Sequence, residues 1–347
     1  MQTSEDLVFS RASTVQDSEI FRPEWLAFER ELGFRPLLLG PTLEDILKQN
    51  ADMGLAMVEK YTFPPADPHV STSEESSESG VRLKIYSPPN VRAGQPIVCY
   101  FHGGGCVLGS VDEDDGLVSR HAKDTGLIFV SVEYRLAPQH PFPAGFNDCV
   151  EAANWCITNA ERLGSQPGNV LLMGVSAGAT LAVATGLRLI DDKKADQLQG
   201  VVACQPFTIH PDALPDEFKH RYRSYDEHSE HTIDTKAAMQ TFLGLHNAPK
   251  TDPYIFPVWN QRLKDLPCVY LCAAETDTLR DDARALKTLL DRNSVPNRYD
   301  EYEKLPHFFF AWPSAHLDAV REEYFQKTAS GIKFVVECSV LSPLPLS

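Results

Sequence analysis

The sequence predicts an α/β fold in which a mostly parallel sheet is covered by helices on both faces. From residue 97 onwards, near-continuous apolar runs alternate with helix-forming stretches, as is typical of strands buried on both faces. A Gly-x-Ser-x-Gly pentapeptide, Gly174 to Gly178, joins one of these apolar runs to a helix-forming stretch. Such a junction predicts a sharp strand-to-helix turn that presents a serine at the carboxyl end of a strand.

The composition is that of an ordinary globular protein with an acidic surface. The chain has 347 residues, 43% of them apolar, and a formal net charge of −16. This acidity argues against nucleic acid or an anionic membrane as the main partner. No apolar run approaches the roughly 20 residues of a membrane-spanning helix, so we expect no stable membrane insertion. Residues 1–6 lack the features of a signal peptide, residues 345–347 are not a peroxisomal address, and we expect a cytoplasmic protein.

Eight cysteines are spread through the chain. None has a spacing to histidines that would predict a zinc site, and most lie in apolar strand-like or helix-like runs. We therefore expect reduced, mostly buried thiols and no bound metal. Cys106 differs because it follows a run of three glycines.

The first 65 residues are expected to be helical and separate from the sheet. An amphipathic stretch covers 25–32, and Thr42 is a candidate N-cap for a second helix. The polar run 71–80 cannot bury a core face and is expected to be a mobile loop at the tip of a hairpin. Residues 81–86 alternate apolar and polar side chains, which predicts an antiparallel edge strand.

The alternating elements follow, interrupted once by a long polar and aromatic interval. The predicted strands are 97–101, 127–132, 170–173, 200–204, 268–273 and 298–303, and the predicted helices are 112–125, 144–163, the stretch after Ser176, 279–293 and 315–338. Residues 205–260 are too long for a plain connection and contain one predicted helix, 234–245. We interpret them, with residues 1–65, as a cap on a single domain spanning 1–347, whose catalytic core is 66–204 and 261–340.

Three distant side chains could form a nucleophilic site. A serine hydroxyl needs a base to take its proton, and that base needs an acid to orient it. Asp277 is the candidate for the acid, and Glu275 is the reserve candidate. Asp277 comes just after the strand 268–273, and ligands of parallel sheets bind at the carboxyl ends of the strands. His307 follows the last strand. With Ser176, these residues have the chain order Ser, Asp, His.

A glycine-rich loop could supply the donors that a developing oxyanion requires. The strand 97–101 runs directly into His102-Gly103-Gly104-Gly105. Backbone N–H groups of Gly103 and Gly104, with that of Ala177 beside the serine, are the predicted oxyanion hole. His102 itself is expected to brace the loop.

Together these segments resemble the hormone-sensitive lipase family of α/β hydrolases, which carries a His-Gly-Gly-Gly signature. The resemblance covers about residues 80–335. It implies an eight-stranded hydrolase sheet, a cap, and carboxylic ester hydrolysis by an acyl-enzyme without a cofactor. The matching segments are His102 to Ser110, Glu133 to Ala144, Gly174 to Gly178, Asp277 to Asp281, and His307 to Phe309.

Three positions depart from the pattern of the family. Val175 stands where an acidic residue is usual, Gly178-Ala179-Thr180 replaces a Gly-Gly-Asn run, and Cys106 replaces an aromatic residue. None of these changes removes a catalytic group, and Cys106 is expected to open the acyl side of the pocket. They favour a specialised member with a substrate from secondary metabolism.

Aromatic residues and methionines of the expected cap predict a small apolar or aromatic ester with a short acyl group. The candidate substrate-binding residues are Cys106, Val175, Trp25, Tyr222 and Phe308. Lactone or thioester hydrolysis, acyl transfer, and non-hydrolytic cyclisation or elimination stay open as alternatives on the same triad, and so does a receptor-type binding module. A homodimer also stays open, and the sequence does not name the substrate.

Overall fold

The computed structural model describes residues 17–91, 94–231 and 233–341. In this part of the chain, eight strands form one sheet with the order β1-β2-β4-β3-β5-β6-β7-β8. The first two strands pair antiparallel, β2 pairs antiparallel with β4, and all later neighbours are parallel. The predicted α/β class with a mostly parallel sheet is therefore confirmed.

The elements are numbered here in chain order. The strands are β1 Ser71–Ser76, β2 Arg82–Ser87, β3 Ile97–Phe101, β4 Phe129–Val132, β5 Val170–Val175, β6 Leu198–Cys204, β7 Val269–Ala274 and β8 Asn297–Tyr302. The helices are α1 Asp17–Ile20, α2 Pro23–Leu32, α3 Leu43–Lys60, α4 Asp115–Thr125, α5 Ala144–Asn159, α6 Ala177–Asp191, α7 Ser224–Glu227, α8 Lys236–His246, α9 Arg280–Arg292 and α10 Asp318–Leu341. Short 3₁₀ turns lie at Ala195–Gln197, Pro257–Trp259, Gln261–Asp265 and Ala315–Leu317.

The central strands are buried along their whole length, as their apolar runs predict. Every residue of β3, β5 and β6 is buried. Strand β3 lies in register with β5, so that Phe101 is opposite Gly174. The loops that leave these two strands therefore start side by side at one edge of the sheet. This arrangement brings the glycine loop next to the Gly-x-Ser-x-Gly turn.

The expectation of a mobile loop over 71–80 is wrong for its first part. Residues 71–76 form β1, which pairs antiparallel with β2 from Ser71 opposite Ser87 to Ser76 opposite Arg82. Its side chains are almost all exposed, so no apolar pattern marks it in the sequence. Main-chain hydrogen bonds to β2 hold it, and Glu74 forms an ion pair with Arg82 across the two strands.

The two segments of the expected cap contact each other. The loop after α2 meets the loop before α8, where the N–H of Leu38 donates to the Ile233 carbonyl at 3.2 Å. Thr235 caps the N-terminus of α8 and its hydroxyl donates to the Leu38 carbonyl. The first 16 residues of the expected cap lie outside the described residues, as do residues 345–347.

All eight cysteines lie in the described part of the chain, and their thiols are free. Seven of them are buried and Cys338 is half-buried, so most of these thiols lie inside the protein, as their apolar surroundings in the sequence predict. Among the described helices, none combines the length and the apolar composition needed to cross a bilayer.

Candidate active site

The turn after β5 holds Ser176 in a backbone conformation that few non-glycine residues adopt. Its φ is 54° and its ψ is −122°. A Cβ atom on Gly174 would lie 2.2 Å from the backbone of Gly178, and one on Gly178 would lie 2.0 Å from the Phe101 carbonyl oxygen. Both glycines are therefore required by close backbone packing, which explains the pattern from which the turn was predicted.

The fold brings Ser176, Asp277 and His307 into one hydrogen-bonded line. The Nε2 atom of His307 lies 2.9 Å from Ser176 Oγ, and its Nδ1 atom lies 2.6 Å from Asp277 Oδ2. This geometry fits a neutral imidazole that donates from Nδ1 to the carboxylate and accepts from the serine hydroxyl at Nε2. All three side chains are buried, and Asp277 Oδ1 also accepts from the Leu279 N–H at 2.8 Å.

The charge around His307 comes from two acids and not from one. Burial lowers the pKa of the imidazole, but the negative charges of Asp234 and Asp277 and the hydrogen bond to Asp277 outweigh it. The net effect raises the pKa of His307 above its ordinary value. Glu275, the reserve candidate, does not contact the imidazole; its carboxylate accepts from the Lys304 N–H at 2.8 Å.

The glycine loop lies against Ser176 and is braced from behind. Gly104 has a φ of +107°, and a Cβ atom there would lie 2.1 Å from the Leu108 carbonyl oxygen. His102 donates from Nδ1 to the Gly103 carbonyl at 2.7 Å and stacks on Tyr134 with ring centroids 4.2 Å apart. Burial lowers the pKa of His102 to about 4, so this ring is neutral and suited to bracing.

Ala177 is the first residue of α6, directly after the serine. The first N–H groups of a helix have no partner within the helix, so the N–H of Ala177 is suited to binding an anion. Gly103 and Gly104 line the same cavity as Ser176. The structure thus brings all three predicted oxyanion residues to the nucleophile.

A cavity of about 180 Å³ lies above these groups. Its wall combines apolar and polar side chains. The apolar lining includes Leu38, Ile233, Met239, Phe242, Phe308 and Trp312, and the polar lining includes Asn50, Ser110, Glu113, Asp114 and Asp234. Burial raises the pKa of Asp114 to about 6, although the Tyr100 hydroxyl donates to it at 2.7 Å.

Of the five candidate substrate-binding residues, only Phe308 lines this cavity. The expectation that Cys106 opens the acyl side of the pocket is wrong, because Cys106 does not line this cavity. Its side chain is buried and faces a separate small cavity with Tyr134, His140 and His246. Burial raises the pKa of its thiol to about 12, so it is a neutral packing group. The loop turns at Cys106, where φ is 60°, and this turn directs the side chain away from the serine.

The other three candidates also lie elsewhere. Val175 is the last residue of β5 and is fully buried in the core below the turn. Trp25 packs against Phe28 inside the helical segment and donates its indole N–H to Glu29 at 2.8 Å. Tyr222 donates to Asp282 at 2.6 Å and lines a separate groove. Each of them stabilises the fold around the cavity without reaching it.

Sequence reasoning missed Asp234, Glu113 and Asp114. Asp234 lies in the cavity wall, with its Oδ2 atom 3.7 Å from His307 Nδ1. It precedes the N-cap of a helix in the long insertion, and no motif marks it. Glu113 and Asp114 lie in an acidic run that resembles a solvated surface in the sequence.

A serine turn, a glycine loop and a histidine–aspartate pair at the carboxyl edge of a parallel sheet are together typical of serine hydrolases with an α/β fold. A family model described as alpha/beta hydrolase fold matches residues 98–311. The chain belongs to this family. Within it, the chain is a carboxylesterase-type hydrolase of the hormone-sensitive lipase group, as the resemblance implied.

Relatives of known name agree with this assignment. A versiconal hemiacetal acetate esterase from Aspergillus parasiticus is 40% identical over 91% of this chain and 98% of its own length. A hyperthermophilic esterase from Pyrobaculum calidifontis has a TM-score of 0.77 and 28% identity over 90% of this chain and 98% of that structure. A FAD-linked oxidoreductase from Aspergillus terreus is 36% identical over 85% of this chain, but the chain spans only 36% of that protein.

Proposed function

We propose that this protein hydrolyses a short-chain carboxylic ester with Ser176 as nucleophile, His307 as base and Asp277 as the acid that orients it. As Ser176 Oγ bonds to the ester carbonyl carbon, its proton passes to His307 Nε2. The carbonyl electron pair moves to oxygen, and the N–H groups of Gly103, Gly104 and Ala177 hold that oxyanion. The proton then passes to the leaving alcohol, and water releases the acyl group by the same steps.

The observation that carries this proposal is the line of hydrogen bonds from Ser176 through His307 to Asp277. His307 lies 2.9 Å from Ser176, which is 131 positions away in the chain, and 2.6 Å from Asp277, which is 30 positions away. Such a line, next to a loop with three glycines and at a positive-φ serine, is the arrangement that acyl transfer requires. A binding module would need none of these groups.

We also propose that the substrate is an acetate or similarly short ester of an apolar, aromatic alcohol from secondary metabolism. The Phe242 ring packs on the glycine loop, since a Cβ on Gly105 would lie 2.6 Å from it, and this leaves little room there. Phe308 and Trp312 offer flat apolar contacts for a ring, and Glu113 and Asp114 can accept from hydroxyl groups on it. The acetate ester in the name of the Aspergillus parasiticus relative is consistent with this class.

A panel of p-nitrophenyl esters tests the acyl preference. We expect kcat/KM for the acetate to exceed that for the decanoate by about tenfold or more, because a crowded pocket discriminates against each added methylene. Phe242→Ala should narrow this ratio, whereas Phe63→Ala, the same truncation at an exposed site, should leave it unchanged. No turnover at any acyl length would contradict the proposed function. Turnover of a matched lactone or thioester alone would replace ester hydrolysis by lactone or thioester hydrolysis as the reaction of this site.

The oxyanion loop is tested by Gly104→Ala. The added methyl group would meet the Leu108 carbonyl at 2.1 Å in a left-handed backbone, so the loop must move. We expect kcat to fall by about 100- to 1,000-fold, the loss typical of removing one oxyanion donor. Gly54→Ala, in open space on α3, should keep full activity and raise the urea midpoint of unfolding. Wild-type kcat in Gly104→Ala would exclude this loop from the oxyanion hole.

A further inference from the structure

Two carboxylates face the same nitrogen of His307. Asp277 Oδ2 lies 2.6 Å from Nδ1 and Asp234 Oδ2 lies 3.7 Å from it, and both acids are buried. Asp277 comes from the carboxyl end of β7, as expected of the orienting acid. Asp234 comes instead from the long insertion, two residues before α8 begins. The imidazole of His307 therefore lies close to two carboxylates, one next to the sheet and one in the long insertion.

The position of Asp234 is fixed by the residue that follows the orienting acid. The Thr278 hydroxyl lies 2.8 Å from Asp234 Oδ2 and also 2.8 Å from the Asp234 carbonyl oxygen. Thr278 is buried, and Asp277 precedes it directly in the chain. On the other side, Thr235 caps α8 and donates to Leu38. Asp234 is thus held on both sides and aimed at the imidazole.

Two of the titratable groups around this pair of acids, Tyr225 and His228, carry no charge near neutral pH. Tyr225 of α7 is buried close to Asp234, Asp277 and Asp282, and its burial and these acids raise the pKa of its hydroxyl far above the ordinary value. His228 faces Asp277, and burial lowers its pKa to about 4. Arg280 brings a positive charge into this layer: its guanidinium lies 2.8 Å from His228 Nε2 and pairs with Glu227 and Asp281.

We propose that Asp234 is a second positioning carboxylate. It stabilises the imidazolium form of His307 from 3.7 Å, at the same nitrogen that Asp277 contacts. This inference rests on the proposed function. When Ser176 Oγ bonds to the ester carbon, its proton moves to His307 Nε2, and the ring then carries a positive charge. Asp234 and Asp277 both stabilise that charge, and neither takes the proton. The proton leaves with the alcohol when the C–O bond breaks.

This arrangement also joins the base to the wall of the cavity. Ile233, Met239 and Phe242 line the cavity from the same segment as Asp234. A movement of this segment would change the distance from Asp234 to His307, and with it the strength of the base. Catalysis and the fit of the substrate are then coupled through a single backbone segment.

The test is Asp234→Asn, which keeps the shape and an acceptor for Thr278 but removes the charge. The base must be neutral to act, so kcat/KM falls as pH drops through the pKa of His307. Removing a negative charge lowers that pKa, and the acid limb of the profile should move to lower pH by about one unit. The maximal kcat should fall about tenfold, since one unit corresponds to a tenfold change in stabilisation of the charged form, with KM little changed.

Asp226→Asn is the matched control. It removes the same charge from α7 at an exposed position, where Asp226 pairs with Lys236 and does not touch the site. Its pH profile and kcat should match those of the wild type. If both variants move the profile equally, a general charge effect explains the result and the proposal is overturned.

A readout without turnover separates this inference from the proposed function. In protein labelled with ¹⁵N-histidine, the imidazole of His307 can be titrated by NMR and assigned with His307→Gln. We expect a lower midpoint in Asp234→Asn than in the wild type, even if no ester is hydrolysed. An unchanged midpoint overturns the inference while leaving esterase activity intact. Should Asp234→Asn fail to fold, Thr278→Val removes the tether and should move the midpoint in the same direction by less; no movement overturns the inference.

Discussion

Replacing Ser176 with alanine is expected to lower kcat by about a millionfold, the loss seen when a triad serine is removed. The reason is that the variant has no oxygen to form the acyl-enzyme, while the oxyanion donors stay in place. Alanine keeps the Cβ atom, so the left-handed backbone of the turn and the packing of Gly174 and Gly178 are unchanged. We therefore expect the thermal midpoint of unfolding to stay close to that of the wild type.

The measurement combines steady-state rates on p-nitrophenyl acetate with mass spectrometry after a fluorophosphonate label. The wild type should gain one phosphonyl group on Ser176, and Ser176→Ala should gain none. Ser330→Ala is the matched control: its hydroxyl accepts from Arg298 at the surface of α10, and its loss should leave the rate unchanged. Labelling of a different serine, or activity retained in Ser176→Ala, would remove Ser176 from the role of nucleophile.

The second large effect is expected for Asp277→Asn, with kcat lower by about 10,000-fold. An amide at this position presents either a donor or a neutral acceptor to His307 Nδ1, so the ring loses its preferred tautomer and the charge that stabilises it. Rates should be followed from acid to alkaline pH, because a change of tautomer lowers the plateau itself. The overall fold should persist, as the amide can still accept from the Leu279 N–H.

Glu275→Gln provides the control for Asp277→Asn. Both acids follow β7, but Glu275 accepts from the Lys304 main chain and not from His307. We expect its kcat to lie within a fewfold of the wild type. A larger loss for Glu275→Gln than for Asp277→Asn would reverse the assignment of the acid.

Local steric requirements explain why so much of the site could be predicted from the sequence. Gly174 and Gly178 are needed because their Cβ atoms would overlap backbone, and the glycine loop must turn sharply after β3. Asp277 follows an apolar strand and His307 follows the last strand, and parallel strands end at one edge of a sheet. These features depend on neighbouring residues, so a single sequence carries them.

The lining of the cavity could not be predicted in the same way. Tyr222 and Trp25 are aromatic residues of the expected cap, but hydrogen bonds to Asp282 and Glu29 hold them away from the serine. Which side of the insertion faces the cavity depends on how it packs on the sheet, and no periodicity records that packing. Asp234 is the clearest example, because only its distance to His307 distinguishes it from other acids. Strand β1 was missed because its order comes from pairing with β2 and not from its own side chains.

The left-handed backbone at Ser176 has a consequence for protein engineering. A non-glycine residue in such a conformation costs about 1–3 kcal/mol of folding stability, and glycine would relieve most of that strain. A screen of random variants for heat resistance alone would therefore enrich glycine at position 176, and these variants would lack the nucleophilic hydroxyl. Directed evolution of a more heat-stable enzyme from this protein therefore has to select for turnover and for thermal stability in the same round.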